Sequence, residues 1–246
     1  MESGHKSQKI ITICILTCNR KKILFELLDS LAYQTIIDEA EVIVVDNAST
    51  DGTTLELPGR YPWVKCLALD KNTGCGGRNA GIRDASAKYV VTLDDDMFLH
   101  YKDTLERIVE YFNGHPDVYV INFKVLFYDS KELIPFNWFH PRNYKLYSES
   151  TFKTDYISEG AVAFRKEIFE KAGYYPEEFF LGHEGYDLAY RIIDNGYNII
   201  YNHTIEVLHK CSHRQRTTWR NTYFDTRNQF WLLIRHFPIP VLIELT

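Results

Sequence analysis

Asp94, Asp95 and Asp96 close an apolar, β-branched run, Tyr89 to Leu93. Such a run has the composition of a strand buried on both faces. Three adjacent carboxylates cannot follow it into the interior unpaired, so they belong outside a sheet edge, and their mutual repulsion calls for a positive partner. Oxygen-only ligands suit a hard divalent cation, Mg²⁺ or Mn²⁺, shared with a substrate phosphate; the plain alternative is a solvated acidic turn. Asp46 ends another apolar run, where it is either an acceptor for a base or ribose or a turn former. Gly74, Gly76, Gly77 and Gly81 allow backbone N–H groups to approach a phosphate where a helix begins, and Arg78 adds a charge there. A dinucleotide fingerprint is the rival reading, but it would need glycine at Asn79 and a place after the first strand rather than the third.

Glu184 and Asp187 follow Gly182 and open a helix spanning Tyr186 to Asn195. A spacing of three puts both on one helical face, where the N-terminal dipole favours carboxylates. Each also has a structural reading: capping for Glu184, and an i, i+4 pair with Arg191 for Asp187. His209 and His213 would form a zinc pair only on a helix, and Thr204 to Leu208 reads as a strand. One histidine completing the acidic metal site is the better reading, with His213 a surface residue by default.

Strands and helices must alternate to position these groups. Ile10 to Leu16, Val42 to Val45, Val64 to Leu69 and Tyr89 to Leu93 read as strands, and Ile23, Leu24, Leu27, Leu28 and Leu31 mark a helix face. Alternation of this kind implies a parallel sheet, with four polar or glycine-rich exits on one edge as a ligand site. Further on, Leu105 to Phe112 reads as a helix, Val118 to Phe127 as a long strand, Gly160 to Phe164 as a strand and Lys166 to Ala172 as a short helix. Pro135 to Tyr147 reads as an irregular excursion. No repeat or linker interrupts residues 1–246, which read as one domain with a nucleotide-binding half at 9–100 and an acceptor-binding half at 101–237.

The 246 residues, 45% hydrophobic and 25% charged, suit an ordinary globular chain, and a net charge of −5 gives no general attraction to nucleic acid. Cys14, Cys18, Cys66, Cys75 and Cys211 contain no CxxC pair and point to a reducing compartment, with Cys14 a small buried hydrophobe. Met1 to Lys9 lacks the apolar run of a signal peptide, and no stretch is long enough to span a membrane. The apolar tail Phe230 to Leu245, broken by Arg235, His236, Pro238 and Pro240, can lie on a membrane or pack against other residues.

The ordered set of motifs resembles a family 2 glycosyltransferase of the GT-A type. The matching residues are Thr17-Cys18-Asn19-Arg20, Val44 to Thr53, Asn72 to Gly81, Leu93 to Asp96, Gly160-Ala161, Glu184 to Leu188 with Arg191, His209, and Tyr223 with Arg227-Asn228. The resemblance covers about residues 9–237 and implies a Rossmann-like, mostly parallel central sheet flanked by helices, with a smaller acceptor-side region. It further implies inverting transfer of a sugar from a UDP- or dTDP-sugar to a hydroxyl of a carbohydrate, lipid-linked or protein acceptor. The setting it implies is cytoplasmic, at or near the inner face of a membrane. By the same resemblance Thr17, Asn19, Arg20 and Asp46 hold base and ribose, and Asn72, Gly77 and Arg78 line the nucleotide pocket. Asp94 and Asp95 then face ribose and donor sugar, with Gly160 beside them, while Asp96 and His209 bind a Mn²⁺ or Mg²⁺ ion and Arg227 closes over the diphosphate. The family often reads Glu-Asp-x-Asp-Leu where this chain reads Glu184-Gly185-Tyr186-Asp187-Leu188. That departure makes Glu184 the first candidate for general base and Asp187 the second. Two other functions stay open: a non-catalytic nucleotide-sugar binder that has lost its base, and a phosphatase with a strand-end aspartate as nucleophile.

Overall fold

Apolar alternation in the first hundred residues builds four parallel strands in the computed structural model, which describes residues 8–211, 218–238 and 240–241. They are β1 (Ile11–Thr17), β2 (Ala40–Asp46), β3 (Val64–Ala68) and β4 (Tyr89–Asp94), and they lie in the order β3-β2-β1-β4. The connections are α1 (Lys21–Leu31), α2 (Thr53–Arg60) and α3 (Gly77–Asp84). Leu24, Leu27, Leu28 and Leu31 recur at helical spacing on α1 and are fully buried, so that face seals one side of the sheet. The sequence reading missed α2, which carries Pro58 within it.

The second half adds β5 (Met97–Leu99), α4 (Thr104–Gly114), β6 (Val118–Phe127), α5 (Tyr144–Tyr147), β7 (Phe152–Lys153), β8 (Ala161–Arg165), α6 (Ile168–Ala172), α7 (Glu184–Asp194), β9 (Asn198–His209) and α8 (Trp219–His236). The sheet continues from β4 as β8-β6-β9-β5, with β7 also on β9. Here β8 runs antiparallel to β4 and to β6, β9 runs parallel to β6, and β5 and β7 run antiparallel to β9. The mostly parallel expectation therefore describes the strands before β5 fully, and those after it only in part. Antiparallel β8 carries Gly160 back beside the acidic end of β4.

One face of the sheet packs Ile11, Ile13 and Ile15 against α1 and α4. The other packs Cys14, Ile43, Val45 and Val90 against Ile82 of α3, Ile168 of α6 and Leu188 and Ile192 of α7. Cys14 is thus the small core residue its position predicted. Helix α8 includes the start of the apolar tail, with Phe230 and Ile234 exposed; residue 239 and residues 242–246 lie outside the described residues, as does His213. Among the described residues no helix is long and apolar enough to cross a membrane.

Candidate active site

β1 lies between β2 and β4 in a register that sets Thr17 beside Asp46 and Leu16 beside Asp94. Their polar exits therefore emerge together at the carboxyl ends of the strands, the usual ligand position of an open α/β sheet. The acidic triplet finds its positive partners within the protein. Asp94 pairs with Arg78 Nη2 at 2.5 Å, Asp95 with Arg20 Nη1 at 3.0 Å, and Asp96 with Arg20 Nη2 at 2.7 Å. Asp95 also accepts the Thr17 hydroxyl at 2.7 Å, and His209 Nε2 lies 3.6 Å from Asp96 Oδ2.

These surroundings separate the three acids electrically. Burial pushes the Asp95 carboxyl up to about 7, against the pull of Arg20 and Thr17. Burial acts on Asp96 in the same sense, but His209 and Arg20 outweigh it and hold that carboxyl below its usual range. Arg78 is buried, and the carboxylates of Asp94 and Glu184 more than offset the penalty for its charge. It sits in the first turn of α3 rather than on an open loop, with Glu184 Oε1 3.8 Å from its Nη1.

The neighbouring loops are tied to one another. Asn19, at a φ of 55°, donates its amide to Ser49 Oγ at 2.8 Å and accepts the Thr50 amide at 2.7 Å. Both oxygens of buried Asp46 are engaged locally, by the Ser49 amide and the Thr54 hydroxyl. Asn72 accepts from Asn47 Nδ2 at 3.1 Å and from the Gly74 amide at 2.8 Å, and Asn47 in turn accepts the Thr73 amide at 2.8 Å. A Cβ on Gly77 would lie 2.5 Å from Leu16 Cδ1, and one on Gly160 2.5 Å from Asp94 Oδ2. At both glycines a side chain would require Leu16 or Asp94 to move from its present position.

These groups surround a cavity of about 350 Å³ bordered by Thr17, Arg20, Asn72, Arg78, Asp94, Asp95 and Glu184. Asn19, Asp46, Gly77, Asp96, Gly160 and His209 do not border it, and two further sequence-based candidates face elsewhere. Asp187 is held by Arg191 Nε and Nη2 at 3.0 and 2.8 Å and by His236 Nε2 at 2.9 Å, facing a separate cleft with Tyr174 and Glu178. Despite burial, His236 and Arg191 hold its carboxyl below the usual range. Arg227 donates to the carbonyls of Glu178 and Phe179 at 3.0 and 2.8 Å and stacks on Trp231, with its Cζ 4.1 Å from the ring centroid.

Sequence reasoning missed Asn47, Phe180, Leu181, Arg220 and Asn221, which complete the cavity wall. Buried Asn228 explains how the far wall is built. Its amide donates to the carbonyls of Phe179, Leu181 and Gly182 at 2.9, 2.8 and 2.7 Å, fastening that loop to α8. The loop then meets the glycine-rich run, where the Cys75 amide donates to the Phe180 carbonyl at 2.8 Å. The Asn228 partners lie more than forty positions away in the chain, beyond the reach of local pattern.

Asp96 and His209 come together as the resemblance implies. Among the described residues no three His, Cys, Asp or Glu side chains converge on a metal position. An oxygen and an imidazole nitrogen 3.6 Å apart are donors that would suit a divalent cation.

The fold is that of a GT-A protein, and the chain belongs to glycosyl transferase family 2, which it matches over residues 12–173. It is 26% identical over 230 residues to the O-antigen chain rhamnosyltransferase RfbN of Salmonella typhimurium, covering 88% of this chain and 71% of that one. The rhamnosyltransferase WbaN of Salmonella anatum is also 26% identical, over 76% of this chain, which spans only 61% of that relative's length. Among solved structures, the mannosyltransferase PcManGT from Pyrobaculum calidifontis, in complex with GDP-Man and Mn²⁺, superposes with a TM-score of 0.71 at 23% identity. That likeness covers 94% of this chain and 65% of the mannosyltransferase.

Proposed function

We propose that this chain transfers a sugar from a nucleoside diphosphate donor to a hydroxyl of a growing polysaccharide, inverting the anomeric carbon. The observation that carries the reading is Asp94 and Asp95 facing Glu184 across one cavity, beneath the glycine-rich start of α3. The rhamnosyltransferases among its relatives favour a deoxyhexose carried by dTDP or UDP. In this assignment Thr17, Asn19, Arg20, Asn47 and Asn72 form the nucleotide end, while Asp94 and Asp95 meet the ribose and sugar. Asp46 supports that end by fixing the loop after β2. Arg220, at the cavity border, takes the diphosphate-facing role that the sequence assigned to Arg227.

Asp96 and His209 would hold the divalent cation, which when bound offsets charge developing on the leaving diphosphate. The acceptor enters from the aromatic side, where Phe139 and Tyr156 stand 5.3 Å apart and Tyr156 and Tyr186 4.9 Å apart, ring to ring. A carboxylate beside the start of α7 takes its proton. Glu184 brings the acid that borders the donor cavity, whereas Asp187 is committed to Arg191 and His236. The same reading places the reaction on the cytoplasmic side of a membrane.

Thermal-shift measurements with dTDP-, UDP- and GDP-sugars, with and without Mn²⁺, test the donor assignment. A cognate donor at a hundred times its Kd adds about 2.7 kcal/mol to stability, so one nucleotide class is expected to raise Tm by several degrees. A non-catalytic binder would give the same shift without releasing nucleoside diphosphate. No shift with any nucleotide sugar contradicts the proposal.

A further inference from the structure

Glu159 precedes Gly160 and β8, and no motif in the sequence singles it out. Because β8 runs antiparallel to β4, the residue arrives beside the acidic strand end. Its carbonyl accepts the Thr92 hydroxyl at 3.0 Å, and the carbonyl of Gly160 accepts the Asp94 amide at 2.9 Å. The Glu159 side chain reaches α7, where Oε1 accepts the Gly185 amide at 2.6 Å. A Cβ on Gly185 would lie 2.3 Å from that same oxygen and 2.1 Å from the Ile157 carbonyl oxygen. The carboxylate of Glu159 thus fills the space that a side chain at position 185 would need. Next to it, Glu184 is 4% exposed, and its Oε2 has no hydrogen-bond partner among the described residues.

We propose that Glu159 is a further catalytic residue, the group that takes the proton of the acceptor hydroxyl, with Glu184 bordering the donor beside it; this rests on the glycosyl-transfer reading. Position separates the two acids. Glu184 is sealed against Arg78 at the donor cavity. Glu159 is only half-buried and lies within electrostatic reach of Tyr156 and Tyr186, whose neighbour Phe139 is 48% exposed. Rings of this kind offer flat apolar faces to a sugar. The Gly185 amide fixes one carboxylate oxygen and so aims the group.

In the transfer step the acceptor O–H proton passes to the Glu159 carboxylate as the acceptor oxygen bonds to the anomeric carbon. The bond from that carbon to the diphosphate oxygen breaks, and its electron pair leaves with the nucleoside diphosphate. Burial and the Glu184 charge push the Glu159 carboxyl up to about 8, opposed by Arg78 and the Gly185 amide. The other titratable groups facing it are Tyr156, Tyr175, Tyr186 and the Cys75 thiol. Burial holds each of these protonated at neutral pH. Since only the ionised carboxylate accepts a proton, turnover should rise with pH and level off above about 8.

Glu159→Gln removes the charge but keeps an oxygen for the Gly185 amide. With the dTDP- or UDP-sugar that the wild type uses, the variant should hold its melting temperature and donor KM while kcat falls roughly 10²–10⁴-fold. Its kcat should also lose the rise with pH. Wild-type kcat and pH profile in folded Glu159→Gln would overturn the assignment while leaving the transferase reading intact. Wild-type protein that turns over no nucleotide sugar would overturn both. If Glu159→Gln does not fold, Glu159→Asp carries the test, since it withdraws the carboxylate by one methylene. A low kcat that still rises with pH supports the role, and an unaltered kcat overturns it.

Discussion

Arg78→Ala is expected to lower stability by about 3 kcal/mol and to abolish transfer. The guanidinium sits between Asp94, at 2.5 Å, and Glu184, at 3.8 Å, with Glu184 deeply buried and Asp94 partly open to the cavity. Breaking a buried pair from one side leaves an uncompensated charge, at a cost of about 3–5 kcal/mol. The open side of Asp94 moves the expectation to the lower end of that range. Glu184 would also gain a proton more readily, and both carboxylates would lose the arrangement that faces the donor. The loss is therefore larger than for a surface cation that merely attracts phosphate. Arg78→Lys should recover part of the stability, because one ammonium cannot span both acids as a guanidinium fork does. Melting curves of both variants, read with titration calorimetry against dTDP and UDP, check this. An alanine variant with wild-type Tm and nucleotide affinity would make Arg78 a bystander.

Asp96→Asn should leave the fold intact and reduce transfer on the order of 10²-fold or more, since the charge offset at a leaving diphosphate amounts to several kcal/mol. The side chain keeps its shape and can still accept from Arg20 Nη2, 2.7 Å away in the wild type. What disappears is the negative charge beside His209 on which the proposed cation site depends. The variant should therefore lose most of its response to Mn²⁺, in affinity for the nucleotide as well as in turnover. Wild-type activity that survives exhaustive chelation would remove the metal from the account and leave Asp96 as the partner of Arg20.

Much of the first hundred residues was legible because their information is local. Tyr89 to Leu93 reads as a buried strand and forms one, but Asp94 still belongs to the ladder, and Asp95 and Asp96 are buried beside Arg20 rather than left outside the sheet. The i, i+4 spacing of Asp187 and Arg191 announced the pair that holds Asp187 away from the cavity. The other half was less readable because its contacts join distant residues. Strand β8 looks like any short apolar run, and only its pairing of Leu93 with Ala161 shows that it returns antiparallel. Glu159 was invisible for the same reason, since its significance lies in touching Gly185, 26 positions further on. The glycine at 185 was visible as a departure, but its cause was not. Polar α8 offered no strong apolar stripe towards the core, and burial of Asn228 and Leu232 alone marks its inner side.

The central claim is that the cavity between Asp94, Asp95 and Glu184 is where a nucleotide sugar is cleaved and its sugar passed on. The most direct measurement is nucleoside diphosphate release from dTDP-rhamnose and UDP-sugars, with Mn²⁺ and an oligosaccharide acceptor, in wild type and Asp96→Asn. The account predicts acceptor-dependent release by the wild type with one donor class, inverted configuration in the product, and near-complete loss in the variant. Release that is equal in wild type and Asp96→Asn, or absent with every donor while the protein remains folded, would contradict it.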